Sequence, residues 1–398
     1  MVKIMAVNAG SSSIKFQLLI MPEEKVLASG LVERIGNKNA SFTLKYDGKK
    51  IETNDLDIPD HNVGVNLVLD ALIKHKIVSK LEEIKGVGHR IVQGGEYFTD
   101  SVVLDEESIK KVDELKEIAP LHNPAHIIGI KAFQKALPKV PQIGVFDTTF
   151  HQTMKPEAYM YALPYEYYTK YKIRKYGAHG TSHKYVSQRC ISLLNKKAED
   201  TKIVVCHIGN GASICAVQGG KSVDTSMGLT PLEGIPMGTR SGNIDPTALE
   251  VVQRHEGQTL PELIQILNKK SGYLGVSGRS HDARDIRKGI KENDFRCKLT
   301  FDMQAKRIVD YIASYICYMD GCDAICFTAG IGENVSILRK LICDRLKYFG
   351  VVLDEEKNEV CGEEILISKP ESKIKVFIIP TNEEVMIARD VMRLTNLK

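Results

Sequence analysis

Short apolar stretches alternate with polar, glycine-rich breaks along this chain, and the spacing of each stretch predicts an element. Residues 4–8 and 13–20 read as two strands around the polar turn at 9–12, a β-hairpin. Further strands are predicted at 25–32 and 41–46, the second ending at the Asp47-Gly48 turn signal. Residues 61–75 carry Val65, Leu67, Val68, Ala71 and Leu72 at helical spacing. A buried strand at 86–92 stops at Gly94-Gly95, and a helix at 124–137 starts with Asn123 as N-cap and Pro124 in its first turn. The short apolar run 142–147 closes on Asp147.

A second β-rich start follows at 202–217, with strands at 203–207 and 212–217 around Gly209-Asn210-Gly211. Helices are predicted at 246–255, 261–268 and 295–319, the last with Ile308, Ile312, Tyr315 and Ile316 on one stripe. Then come a buried strand at 323–328, a glycine turn at 329–334 leading into a helix, a strand at 375–380 and a final helix at 383–397. The two hairpins are alike: each turn contains glycine and runs into Ser-Ile, Ser13-Ile14 and Ser213-Ile214. That likeness predicts a duplicated domain, one copy starting near residue 1 and the other near 200.

The periodicity fails at residues 225–246, TSMGLTPLEGIPMGTRSGNIDP. Four glycines and three prolines there exclude a regular helix or strand. Met227, Leu229, Leu232, Ile235 and Met237 give the segment apolar anchors, so it is predicted to be an ordered loop. Such a loop is either a connection or a mount for Arg240 and its flanking hydroxyls, suited to a carboxylate or phosphate.

The length, 398 residues, suggests two or three domains. The net charge of +4 is nearly balanced, against a nucleic-acid-binding or membrane-surface protein. No apolar run is long enough to span a bilayer, and the start MVKIMAVNAG enters a strand pattern at once rather than a signal peptide. Nine cysteines, an odd number without zinc-site spacing, point to a reducing cytoplasm.

Several motifs carry candidate chemistry, each beside a plainer reading. The turn from Asn8 through Ser11 and Ser13 to Lys15 offers N–H, hydroxyl and ammonium donors for a phosphate, or is a polar hairpin turn. His207, Ile208, Gly209, Asn210 and Gly211 offer the same choice in the second copy. Gly330, Ile331, Gly332, Glu333 and Asn334 follow a strand end, where nucleotides dock in open α/β sheets, or form a tight turn. His179 and His183 have a zinc-like spacing without the intervening glutamate, so His179 is a donor to an anionic transition state or a structural histidine. Arg90, in an apolar strand, faces an anion or lies at a sheet edge. Asp147 is a strand-end catalytic carboxylate or a turn cap, and Glu383 with Glu384 caps a helix or holds magnesium.

In order, VNAGSSSIK, GHRIVQGGE, PLHNPAHIIGI, VFDTTFHQTM, YGAHGTSH, CHIGNGASI, DTSMGLTPLEGIPMGTRSGNIDP, FTAGIGEN and IPTNEE resemble the acetate kinase family of short-chain acyl kinases, essentially end to end. The resemblance implies a duplicated α/β fold of the actin-like ATPase, sugar kinase and heat-shock chaperone ATPase superfold, ribonuclease H-like, whose two domains close on ATP and acetate. It implies an N-terminal domain at 1–150 with the acid-binding side, completed by the helix at 381–398, and a nucleotide-binding domain at 151–380. It also implies a cytoplasmic homodimer that makes acetyl phosphate and ADP reversibly, with magnesium or, in its place, manganese. By motif, Asn8 and Glu383 would hold the metal, and Ser11, Ser13 and Lys15 would line the phosphate site. Arg90 would grip the acid in a pocket walled by Val92, Leu121 and Pro231. Asp147 would orient the nucleophile and Arg240, while His179 and Arg240 stabilise the phosphoryl group. His207 to Gly211 would meet the phosphates, and Asp282, Ala283, Arg284 and Gly330 to Asn334 would surround the nucleoside.

Two departures stand out: Gln93 where many members have His, and Ala178 where they have a Phe that walls the methyl pocket. The smaller residue implies a roomier pocket that also takes propionate. A propionate or butyrate kinase is the neighbouring reading, and an actin-like nucleotide switch without an acid acceptor is the reading from another class.

Overall fold

The computed structural model describes residues 1–120 and 122–397. The chain forms two compact units, Met1–Phe150 with Asn382–Lys398, and His151–Thr381. The first is built on β1 (Val2–Ala9), β2 (Ser13–Met21), β3 (Lys25–Glu33), β4 (Ala40–Tyr46), β5 (Lys49–Leu56), β6 (Ile84–Ile91), β7 (Val102–Val103) and β8 (Gln142–Phe146). They lie in the order β5-β4-β3-β2-β1-β6-β8-β7. β1 to β5 form an antiparallel meander, whereas β6 runs parallel to β1, and β8 parallel to β6.

The second unit has β9 (Lys202–Ile208), β10 (Ala212–Gln218), β11 (Lys221–Thr225), β12 (Ala324–Thr328), β13 (Ile365–Leu366) and β14 (Lys375–Ile378), in the order β11-β10-β9-β12-β14-β13. Here three antiparallel strands are followed by β12 parallel to β9 and β14 parallel to β12. The two units therefore share one plan, three antiparallel strands (β3-β2-β1 and β11-β10-β9) continued by two parallel strands, and the first unit lengthens its meander with β4 and β5. This is the duplicated α/β architecture of the actin-like ATPase and sugar kinase superfold.

The central strands read as unbroken apolar runs because both faces of each sheet are covered. In the first unit Val7, Ile14 and Phe16 pack with Val65, Val68 and Leu72 of the helix His61–Lys74 and with Phe133. In the second, Val204, Cys206 and Ile214 pack with Phe301, Ile308 and Ile312 of the helix Phe295–Tyr318. Each such side chain contributes roughly 1.5–3 kcal/mol of burial.

Some elements differ from the sequence expectation. Asn123 does not cap its helix; it opens the helix Asn123–Ala136, and its amide donates to Gln93 O at 3.0 Å and Val112 O at 3.1 Å. Its fully buried side chain is thus engaged with two main-chain carbonyls rather than with the helix end. The glycine turn at 329–334 is a short helix, Ala329–Asn334. β5 and β11 extend the hairpins that the sequence showed only in part. All nine cysteines are free thiols. Among the described residues, no helix is long and apolar enough to cross a membrane.

The helix Glu383–Thr395 completes the first unit by packing on β6, and two glycines make this contact possible. A Cβ on Gly88 would stand 2.2 Å from Ile387 Cγ2, and one on Gly86 2.4 Å from Val391 Cγ1. Gly88→Ala must push that helix away, so it is expected to cost about 1–3 kcal/mol. Urea unfolding measures this, and an unchanged midpoint would show that the helix is not seated on β6.

Candidate active site

β6 and β8 are adjacent parallel strands in the register Arg90↔Val145 and Ile91↔Phe146. Asp147 follows directly, its N–H donating to Ile91 O at 2.9 Å. Arg90 and Asp147 thus stand at the carboxyl ends of neighbouring parallel strands, where α/β sheets place their ligands. Arg90 Nε and Nη2 donate to the two carboxylate oxygens of Asp147 at 2.9 and 2.7 Å. The Asp147 side chain is 1% exposed and that of Arg90 19%. Burial opposes the charge of Arg90, but Asp147, with Glu383 and Glu384 nearby, more than compensates and raises its pKa. Nη1 makes no hydrogen bond among the described residues and is the donor left for a ligand. Thr148 accepts from Gly94 N at 3.0 Å and Thr149 donates to Phe98 O at 3.2 Å, so these hydroxyls brace the chain beyond Asp147. Val92, half-buried, follows β6, and Leu121 lies outside the described residues.

The turn between β1 and β2 is fixed by two imidazoles. His126 Nδ1 donates to Ala9 O and His61 Nε2 to Gly10 O, each at 2.8 Å, while Gly10 N donates to Ser13 O at 2.8 Å. With those groups occupied, Ser11 stays exposed and Ser13 half-buried. Asn8 pairs across the hairpin with Lys15, whose ammonium meets Glu384 Oε1 at 2.6 Å. The cap of the last helix is Asn382, which accepts from Val385 N at 3.1 Å. Glu383 is therefore not needed as a cap, and its Oε1 is buried with no hydrogen-bond partner among the described residues. Burial pushes its pKa up; Arg90 opposes this, and Asp147 and Glu384 add to it. A buried carboxylate oxygen without a donor is costly unless a cation meets it.

In the second unit, residues 226–246 form neither helix nor strand. Met227, Ile235 and Met237 anchor the loop and are fully buried. Arg240 Nη1 donates to Pro231 O at 3.1 Å and approaches Met237 Sδ at 3.6 Å. Among the described residues no carboxylate lies within ion-pair distance, and burial lowers its pKa. A Cβ on Gly211, in the β9–β10 turn, would stand 3.2 Å from Arg240 Nη1 and 3.5 Å from His179 Nε2. Arg240, His179 and the Gly211 backbone therefore border one small space. The loop docks on this turn through Gly238, whose N–H donates to Asn210 O at 3.1 Å.

His179 holds φ at 57°, a left-handed conformation that costs a non-glycine residue energy and recurs at functional positions. It precedes the helix Gly180–Leu194, stacks on His207 at 4.1 Å and lies with Nδ1 2.9 Å from Ser213 Oγ. His207 Nδ1 is 2.8 Å from Ser182 Oγ, which in turn meets Thr381 Oγ1 at 2.7 Å. His179 and His183 share Ser213, and no group of three His, Cys, Asp or Glu able to hold an ion occurs among the described residues.

A cavity of about 490 Å³ is lined by Asn210, Asp282, Ala283, Arg284, Gly330, Ile331 and Asn334. His281, Arg287 and Val335 complete it and were not singled out from the sequence. Arg287 had a signal: it lies three residues after Arg284 on one helix, hence on the same face. Gly332 and Glu333 do not line the cavity. Glu333 Oε1 accepts from Ala329 N at 2.7 Å and Thr381 N at 3.2 Å, and Gly332 O accepts from Arg339 Nη1 at 2.9 Å. His207, Ile208, Gly209 and Gly211 lie outside its lining, and the Ile208 side chain is fully buried in the core.

Residues 3–389 match the model of the Acetokinase family. This chain belongs to that family. An acetate kinase of Acholeplasma laidlawii is 57% identical over 394 residues, which cover 99% of this chain and 100% of the relative. The crystal structure of the Porphyromonas gingivalis acetate kinase superposes with a TM-score of 0.95 at 45% identity, over 99% of this chain and 100% of that one. A propionate kinase from Francisella tularensis gives 0.93 at 42% identity, over 99% and 100%.

In this acetokinase family member, two buried histidines of the first unit tie stability to pH. His89 Nε2 lies 2.7 Å from Gln142 Oε1, and His126 holds the β1–β2 turn. Burial pushes both down to about 4. Unfolded, they protonate near 6.5. Between those values the unfolded chain carries the extra protons, so stability falls as the pH drops and the loss is complete below about 4. Urea unfolding from pH 7 to 4.5 is expected to lose on the order of 2–3 kcal/mol per histidine. A flat profile would mean that the rings are not held neutral.

Proposed function

We propose that this protein is an acetate kinase that transfers the terminal phosphoryl group of ATP reversibly to acetate, giving ADP and acetyl phosphate by direct in-line displacement. The observation that carries this is the convergence of Arg240 Nη1 and His179 Nε2 over Gly211, with no carboxylate neutralising the arginine. A fixed cation beside a second N–H donor suits the charge spread over the equatorial oxygens of a transferring phosphoryl group. Acetate is already ionised at neutral pH, so the reaction needs no strong base; it needs two anions held together. Asp147, with both oxygens taken by Arg90, fits an orienter better than a proton acceptor. Arg90, through Nη1, is assigned to the acid's carboxylate.

The first unit is read as the acid-binding side with the first phosphate turn, Ser11, Ser13 and Lys15. The second is read as the nucleotide side, with His207 to Gly211 at the phosphates and the 490 Å³ cavity for the nucleoside. The buried, donorless Oε1 of Glu383 and the amide oxygen of Asn8 are hard oxygen ligands that fit magnesium, or manganese in its place. When bound, the metal neutralises phosphate charge. A homodimer working in the cytoplasm completes the reading.

The assay incubates the protein with MgATP and acetate, propionate or butyrate and traps acyl phosphate with hydroxylamine. Acetate is expected to give the hydroxamate. ATP hydrolysis that needs no acid and leaves no trapped product would favour the actin-like switch. Ala178 is small and buried, with its carbonyl accepting from His151 Nε2 at 3.0 Å. Propionate is therefore expected to be used as well, with a kcat/KM within about 10–200-fold of that for acetate; no detectable propionyl hydroxamate would exclude this.

Arg240→Ala removes the cation without breaking an ion pair. Turnover is expected to fall by roughly 10²–10³ while the unfolding midpoint stays put. Near-normal turnover would remove Arg240 from the chemistry.

A further inference from the structure

Ser213, the second residue of β10, is fully buried and paired in register with His207, and its hydroxyl touches two imidazoles. His179 Nδ1 stands 2.9 Å away and His183 Nε2 2.7 Å away. A hydroxyl has one proton and two lone pairs, so it can donate to only one of them, and accepting from both would leave its own buried proton without an acceptor among the described residues. His183 decides the direction. It is fully buried, and burial, with His151 and His207 adding, holds its pKa well below the ordinary value, so it is neutral with a single N–H. Its Nδ1 is buried with no hydrogen-bond partner among the described residues. A proton on Nδ1 would strand a donor in the core, whereas a proton on Nε2 is donated to Ser213. Ser213 then turns its own proton to His179 Nδ1. The proton of neutral His179 is left on Nε2, the atom that borders the space shared with Arg240 over Gly211.

We propose that His183 and Ser213 are positioning residues that fix His179 as its Nε2–H tautomer, so that it presents a donor rather than a lone pair to the phosphoryl oxygens. The opposite tautomer would aim a lone pair at an anion. An imidazolium at His179 would donate to Ser213 and so strand one buried proton, either that of Ser213 itself or, if Ser213 turned to His183 Nε2, one on His183 Nδ1. The relay thus supplies a donor without requiring a charged ring. This rests on the role given to His179 under the proposed function.

The full-length protein labelled with ¹⁵N-histidine tests it by two-bond proton–nitrogen correlation, with His179 assigned by the peak lost in His179→Gln. Wild-type protein is expected to show a bare Nδ1 and a protonated Nε2 at His179. A protonated Nδ1 with a bare Nε2 would overturn the proposal whatever the activity. Ser213→Ala is expected to mix the two tautomers and lower kcat for hydroxamate formation about ten- to a hundredfold, with KM for ATP and acetate nearly unchanged. Ser213→Thr, which keeps the hydroxyl, should restore most of the turnover. Full turnover in Ser213→Ala would equally overturn the proposal, and if that variant does not fold, the wild-type spectrum alone decides. A wild-type protein making no acyl phosphate would refute the kinase reading and leave the tautomer result standing.

Discussion

A guanidinium without a carboxylate partner among the described residues is the constraint around which the second unit is arranged. Burying such a charge is costly, so the chain must hold Arg240 by its backbone. It does so with a loop that main-chain bonds pin from several sides. Tyr273 N donates to Met237 O at 2.8 Å, Ser271 N to Thr239 O at 2.9 Å and Ser241 N to Leu267 O at 2.9 Å. Gly272 lies so close beneath that a Cβ would stand 2.0 Å from Met237 O and 2.6 Å from Arg240 O. The density of glycine and proline in and around the loop follows from this close approach. The result is a charge whose position is fixed before any ligand arrives, the kind of preorganisation that favours a transition state over solvent.

The first unit stores the opposite imbalance. Its arginine is neutralised in place, because Arg90 and Asp147 form a two-bonded pair at adjacent strand ends. What it leaves short of partners is an anion, Glu383, raised in pKa by burial and with one oxygen lacking a donor. One unit thus keeps a cation without a counter-ion and the other a carboxylate without enough donors. In the proposed reaction the first would serve the phosphoryl oxygens and the second the metal.

The sequence showed the scaffold well and the site unevenly. Central strands were legible because burial on both faces demands continuous apolar residues, and the hairpin turns because glycine and asparagine mark them. β5 was missed because an outer strand such as KKIETNDL is mostly exposed and has no apolar signal. Arg240 stood out because its loop is compositionally unlike any regular element. Which residues of 330–334 line the cavity was not legible, because six residues read as a turn do not say which face is presented. As a helix they divide: Gly330, Ile331 and Asn334 line it, while Glu333 bonds back to Ala329 N and Thr381 N. The Ser213 contacts were invisible for a similar reason. They depend on the start of β10 lying against the helix that carries His179 and His183, a tertiary fact with no local signature.

The duplication explains how one turn came to serve in two ways. Ser13 and Ser213 both follow a glycine turn, precede an isoleucine and stand at the start of the second hairpin strand. In the first unit His61 and His126 occupy the turn's carbonyls from outside, and the serines stay accessible as direct donors. In the second, Ser213 is buried against two imidazoles and cannot reach a ligand; its effect passes through His179. A hydroxyl in water offers a donor of indifferent direction, because it rotates. A hydroxyl buried between two nitrogens, one of them compelled to donate, has a single direction. Losing direct contact with substrate is thus what allows the second copy to specify which nitrogen of a neighbouring ring carries the proton.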